Sequence, residues 1–409
     1  MGRTGRRALA ALLALALAPA AEAGPGNGIR LGGSTARLHP YVELEGRYDS
    51  NLSFTDLAAK QSGFVLHVRP GLALESPSDS AAVDFRAHLD WAQYFGDESD
   101  LSRLYADAAL AVGLNRKGSL GLELTDTFRR TASTQNLILG FAVVSNTNEL
   151  EVSVPYRPGG GAFVTSLNAS WRLETFEPFF SGSLCTSPTT VCDPDALAEL
   201  DYSDVTGGLD IRWKFLPKTA VVVQGEYWMR IPSSSLAGAD ISGYRAWGGV
   251  AGLFSAHLAG TVKGGYGSAS MDPGSISSWL ANAEIEWIPL ETASLKLGYI
   301  HDFGADLGPS GGFTSHRGYV DGRVLLAARY TAQLAASYER RAYEEASDVE
   351  AADLLSVTPS IDLSLARWLT AGAGVTYTRR TSDLAPLVPP LPGFEFSKTE
   401  VFLRVRGTY

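Results

Sequence analysis

The chain has 409 residues, among them 43 glycines, 16 tyrosines and 8 tryptophans but only 3 methionines, and 34 basic against 44 acidic side chains give a formal charge of −10. This acidity argues against nucleic acid as a partner, and the weakness of helical patterning argues for a β protein.

Residues 1–23, MGRTGRRALAALLALALAPAAEA, hold three arginines, an apolar run from Ala8 to about Ala18, and a small-x-small close at Ala21-Glu22-Ala23. That is the pattern of a secretory signal peptide cut before Gly24. The apolar run is too short for a membrane-spanning helix, which takes about 20 residues. The exported chain keeps 31 basic and 43 acidic side chains, a net charge of −12. Residues 24–35, GPGNGIRLGGST, read as a flexible periplasmic lead-in.

From Ala36 to Tyr409 the sequence repeats one unit eighteen times, at 36–50, 63–75, 81–95, 101–114, 118–130, 145–157, 161–174, 202–214, 219–230, 243–254, 257–268, 277–287, 292–303, 315–327, 331–343, 354–365, 369–380 and 398–409. The repeating property is a period of two. In the second segment Phe64, Leu66, Val68, Leu72 and Leu74 share one parity, while His67, Arg69 and Glu75 share the other. The third sets Val83, Phe85, Ala87, Leu89 and Trp91 against Asp84, Arg86, His88 and Asp90. Successive strand residues point to opposite faces, so each segment has one greasy and one wet face.

A soluble sandwich also has one wet face per sheet, and the connectors decide between the two. Short ones such as SPSDS (76–80), FLPKT (215–219) and IPLE (288–291) alternate with long ones such as 131–144, 175–201, 231–242, 304–314 and 381–397. Short turns on one rim and long loops on the other define the expected fold: all-β, an integral outer-membrane antiparallel β-barrel of about 18 strands, with periplasmic turns, extracellular loops and both termini on the periplasmic rim. Residues 36–409 form this barrel.

Aromatic residues recur where girdles are needed. Tyr48, Trp91, Phe128, Trp171, Tyr227, Tyr266, Trp279, Tyr299, Tyr338 and Tyr377 fall near loop ends, and Tyr156, Trp213, Phe254, Trp287 and Tyr409 near turn ends. Leu122 and Val222 are expected to face lipid.

A barrel of this size is too wide for side chains to fill, so a water-filled lumen is expected. Its lining is read as Glu43, Glu45, Arg47, His67, Arg69, Arg86, Asp90, Glu123, Arg172, Asp210, Arg212, Glu284, Arg323, Arg404 and Arg406, with Tyr41, Tyr94, Tyr105 and Trp228 among them. Both charge signs are present, whereas an ion-selective pore gathers one sign at a constriction. Mixed charge with aromatics suits a hydrated polymer, and cross-lumen salt bridges that brace the wall are an equal reading of any one residue.

No catalytic set emerges. His67 and His88 lie near Asp90 and Arg69, but no lumen-parity serine stands within reach, and His39, His257, His301 and His316 are scattered and resemble no metal set. Neither an enzyme nor a cofactor is expected. Cys185 and Cys192, with six residues between them in an exported loop, are expected to form a local disulfide stapling the segment from Thr175 to Asp201. Phe176, Phe179 and Phe180 of that segment could plug the mouth or cap it.

The first strand ends GRYDSNLSF, and Tyr48-Asp49-Ser50-Asn51 resembles the Tyr-Asp-x-Asn element opening an outer-membrane β-barrel porin family whose members include exopolysaccharide-secretion barrels of polymerase-dependent pathways. The resemblance implies a barrel in a Gram-negative outer membrane that passes a secreted polysaccharide outward with a periplasmic polysaccharide-export protein as partner. The final strand, KTEVFLRVRGTY, resembles the assembly signal read by the outer-membrane insertion machinery, with tyrosine in place of the usual phenylalanine. A general small-solute porin is the alternative function, and an outer-membrane enzyme barrel a more distant one.

Overall fold

Period-two alternation becomes a hydrogen-bonded ladder in all eighteen segments. The computed structural model describes residues 26–32, 34–52, 54, 60–96, 99–133, 143–179, 194–234, 240–271, 274–305, 312–343, 349–384 and 395–409. The strands are β1 Arg37–Asp49, β2 Gly63–Ser76, β3 Ala81–Tyr94, β4 Arg103–Leu114, β5 Leu122–Ser133, β6 Val143–Tyr156, β7 Phe163–Pro178, β8 Tyr202–Leu216 and β9 Thr219–Pro232. They continue as β10 Ile241–Ser255, β11 Leu258–Ser270, β12 Ser275–Leu290, β13 Ala293–Ala305, β14 Gly312–Leu326, β15 Tyr330–Tyr343, β16 Val349–Ala366, β17 Leu369–Leu384 and β18 Phe396–Thr408. Each pairs antiparallel with its sequence neighbours, and β18 pairs with β1 from Thr408↔Tyr41 to Glu400↔Asp49. The sheet is therefore a closed ring without a free edge, so the ladders satisfy backbone polar groups within the wall.

The burial pattern is inverted relative to a soluble protein. Leu403, at mid-strand, is 67 % exposed, while Glu45 on the opposite face is 2 % exposed. Tyr48, Trp91, Trp171, Tyr227 and Tyr266 form an exposed ring near the loop rim, and Trp213, Phe254 and Trp287 another near the turn rim. Trp279 and Trp287 of β12 are both exposed, and their spacing is roughly 26 Å along the strand. Along a strand tilted by about 40° this is roughly 20 Å of height, within the band of about 25 Å expected of an outward apolar surface.

Val222 does not face lipid. It is 6 % exposed and paired with Arg212, whereas Val223 is 48 % exposed and paired with Ile211. The stretch TAVVVQG offers three consecutive valines and hence no alternation from which to choose a face. Leu122 is outward-facing but stands at the first position of β5, close to the turn rim.

Most strands run further toward the loop rim than their apolar patterning: β16 begins at Val349 and β17 continues to Leu384. Beyond the membrane the outer face meets water, so the ladder continues after the apolar signal has stopped. Part of the lead-in also pairs, with Ile29 and Arg30 opposite Leu38 and Arg37. Gly28 makes this possible, since its φ is +72° and a Cβ there would lie 2.4 Å from the His39 ring. The leader residues, Phe180, Cys185 and Cys192 lie outside the described residues.

Candidate channel interior

The inner wall of β18, β1, β2 and β3 carries one continuous chain of ion pairs. Lys398 Nζ stands 2.7 Å from Asp49 and 3.5 Å from Glu400, and Arg47 joins Glu400 at 2.9 Å to Glu45 at 2.5 Å. Arg69 then bridges Glu45 at 3.0 Å, Glu43 at 2.8 Å and Asp90 at 2.9 Å, and His67 Nδ1 closes the chain 2.9 Å from Asp90. These residues meet because strands in register place every second side chain of four neighbours on one curved face. Asp90 is held by both Arg69 and His67, so the His67–Asp90 pair is part of a strut.

The other anticipated lining residues are distributed around the same face. Arg404 grips Asp362 with two bonds of 2.8 Å, and the Arg406 guanidinium lies 3.9 Å over the Tyr41 ring. Glu284 accepts from Tyr319 Oη and stands 3.4 Å from Lys296. Arg172 donates to Glu174 at 2.7 Å, and Asn168 donates to Asp210 at 2.7 Å. Glu123 pairs with Arg157 at 3.4 Å, and Arg212 lines a cavity near the turn rim. Arg86 meets Asp84 at 3.3 Å near that rim, and Arg323 is exposed on the face that carries Tyr319.

Two ladders open before their strands end. The β4–β5 ladder stops at Ala106↔Arg130 although β5 runs to Ser133, and the β12–β13 ladder stops at Ala281↔His301 although β13 runs to Ala305. Beyond each opening the chain packs against inward-facing side chains. Phe179, after β7, packs with Val65, Tyr94 and Tyr105, beneath the Arg103 guanidinium at 4.8 Å. Phe303 of β13 packs with Trp228, Ile276 and Leu280. Arginines clamp the β13 tip: Arg245 donates to Asp302 at 3.0 Å and to the Phe303 carbonyl at 2.7 Å, and Arg230 to the Ala305 carbonyl at 2.9 Å. Both donors come from β9 and β10, so the tip is tied across the intervening wall.

Of the long 175–201 segment, Phe179 does reach the lumen face, while Phe176 is buried with Val143, Leu197 and Tyr202 beside the short helix α1, Pro194–Ala198. Asp201, in the loop, accepts from the Phe176 amide at 2.8 Å, and burial pushes its carboxyl above the usual range.

Beneath the β13 tip is a cavity of about 470 Å³ with walls drawn from β5 to β13. Its lining combines carboxylates of Glu151, Asp210 and Glu226, amides of Asn168, Gln224 and Asn282, hydroxyls of Thr125 and Thr206, Lys263, and the Trp247 indole. Lys263 donates to Gln224 at 2.7 Å and Arg245 pairs with Glu226 at 2.9 Å. Such a surface exchanges hydrogen bonds with a hydrated solute while its own charges are partly compensated. Arg230, Arg245, Lys398 and Glu400 were not among the anticipated lining residues. The signal was present: Lys398 and Glu400 share the parity of Arg404, and Arg245 alternates with Tyr244 and Ala246.

A closed 18-stranded barrel with an apolar outer band and a charged interior is an outer-membrane channel of porin or transporter type. The family described as "Putative beta-barrel porin 2" matches residues 23–409, and the chain belongs to it. No curated protein matches the sequence. Among solved structures, the chain is similar to the outer membrane protein OpdK from Pseudomonas aeruginosa, with 11 % identity, 91 % of this chain and 99 % of that one covered, and a TM-score of 0.46. The FrpB iron transporter from Neisseria meningitidis, in its F5-1 variant apoprotein form, has 9 % identity, coverage of 90 % and 81 %, and a TM-score of 0.45. The siderophore receptor PirA from Pseudomonas aeruginosa has 10 % identity, coverage of 92 % and 81 %, and a TM-score of 0.43.

Proposed function

We propose that this barrel conducts a hydroxyl-rich polymer, a secreted exopolysaccharide, outward across a Gram-negative outer membrane, receiving it from a periplasmic export protein. The observation that carries this reading is the cavity in which amides, hydroxyls, carboxylates and the Trp247 indole are interleaved. Hydroxyl groups both donate and accept, so a mixed lining suits them better than it suits an ion. The ion-pair chain from Lys398 to His67 keeps much of the remaining wall charge engaged with itself, and we read it as bracing rather than as catalytic machinery.

Deletion is expected to abolish surface polysaccharide and leave polymer trapped in the periplasm, with small-solute uptake unchanged. Normal surface polymer in the deletion strain would overturn the export reading.

A small-solute porin is the second reading, favoured by the inward packing of Phe179 and Phe303 near the loop rim. The arginine clamp separates the two. For polymer passage the β13 tip must yield, so Arg245→Ala is expected to raise single-channel conductance in planar bilayers severalfold. A fixed porin constriction predicts unchanged conductance.

A further inference from the structure

We propose that the outward face of β13 to β17, just above the outer aromatic girdle, binds the phosphate groups of an anionic lipid in the outer leaflet. The ladders place His301, His316, Arg340 and Asp353 side by side in one row. Arg379 stands diagonally opposite, beside Leu355. Each lies one outward position beyond a girdle residue or its partner: Tyr299, Tyr338 and Tyr377 on β13, β15 and β17. Arg340, Arg379 and His316 are exposed.

The distribution of charge around the barrel singles out this sector. At the same outward step elsewhere the described side chains are uncharged: Gln93, Leu173, Met229, Ser242, Ser268 and Ser277. The exception, Arg130, already has its anion in Glu177. Here Asp353 is the one acid in the row, and its carboxylate accepts from Tyr338 Oη at 2.6 Å. Two guanidiniums two strands and two residues apart, roughly 12 Å, therefore face the headgroup layer together.

The surroundings are arranged for a headgroup as well as for a charge. His301 is sandwiched between the Trp279 ring, 3.8 Å away, and the His316 ring, 4.2 Å away, and Tyr299 Oη meets His316 Nδ1 at 2.8 Å. His301 is buried in this stack, bonded to Ser278 Oγ at 3.1 Å and to the Ser315 carbonyl at 3.0 Å, so it backs the exposed His316 at one end of the row. Below the row, past Tyr299, Leu297 is exposed and would lie along an acyl chain. Phosphate above and hydrocarbon below is the chemistry of a phosphorylated lipid, and guanidinium is the side chain best matched to phosphate. The inference is independent of what the lumen carries.

The test titrates the detergent-solubilised full chain with diphosphoryl lipid A and with the same lipid stripped of phosphate, reading bound lipid by native mass spectrometry. The phosphorylated form is expected to bind more tightly, and the Arg340→Gln, Arg379→Gln double variant to bind it roughly 30-fold more weakly, at about a fivefold loss per arginine. The corresponding lysine pair should retain most of the affinity. Equal binding of the two lipids, or unchanged affinity in the double variant, would overturn the proposal, as would displacement by millimolar inorganic phosphate, which would indicate a free-anion site. Should the glutamine variant fail to assemble, the wild-type protein still decides: affinity for the phosphorylated lipid must fall as salt rises, and a salt-independent affinity would overturn it.

Discussion

Replacing Arg69 by alanine is expected to destabilise the barrel by about 3–5 kcal/mol, the range for removing one partner from a buried ion-pair cluster. Arg69 is the hub between Glu43, Glu45 and Asp90, and its side chain is only 17 % exposed. Its loss leaves Glu45 with Arg47 and Asp90 with His67, but Glu43 loses its bonded partner and three carboxylates are left close together. The measurement is the urea midpoint at which the gel mobility of unheated protein changes. Arg86→Ala is the matched control, because its side chain is 63 % exposed and its pairs are worth roughly 0–1 kcal/mol. Equal midpoints for the two variants would show that water reaches the whole network.

The second large effect is on the opposite face. Val262 is exposed in β11, between the Tyr266 level of the outer girdle and Leu258, which pairs with Trp287 of the inner one. An arginine there sits near mid-bilayer, and Val262→Arg is expected to cost roughly 2–4 kcal/mol. Glu123→Gln, at the cavity wall, should change stability little. Leu122→Arg should fall between them, since Leu122 lies close to the turn rim where the penalty shrinks. Folded yield in lipid vesicles measures all three. Equal tolerance of Val262→Arg and Glu123→Gln would mean that the two faces are exchanged, because a single-residue slip inverts every side chain.

The eighteen strands were legible because lipid on one side and water on the other impose the same period of two on every segment. The period failed locally where composition erased it, as in the valine run that hides the orientation of Val222. It also gave out beyond the membrane, where β16 and β17 continue as ladder without an apolar face. Individual lumen residues such as Arg47, Arg69 and Arg404 could be named from parity, but their partners could not. Whether Glu45 meets Arg47, Arg69 or both depends on register between strands, which no single strand encodes. The inward packing of Phe303 was least visible, since it follows from a ladder that stops short at Ala281↔His301.

The closing seam has a further consequence for the order of events in assembly. Every other ladder joins segments that follow one another in the chain, but Arg47 and Glu400 are 353 positions apart. Bringing such distant ends together costs roughly 3 kcal/mol more chain entropy than closing a ten-residue hairpin, by the logarithmic scaling of loop closure. Before they meet, the two terminal strands are the only unpaired edges of the growing sheet, one presenting Asp49, Arg47 and Glu45 and the other Lys398 and Glu400. The bonds Lys398–Asp49 and Arg47–Glu400 form only when the two edges meet. The seam thus carries its own check on facing: a one-residue slip would turn Glu400, Arg404 and Arg406 toward lipid, while the native alignment keeps them inside and sets Arg404 against Glu45 and Arg406 against Glu43.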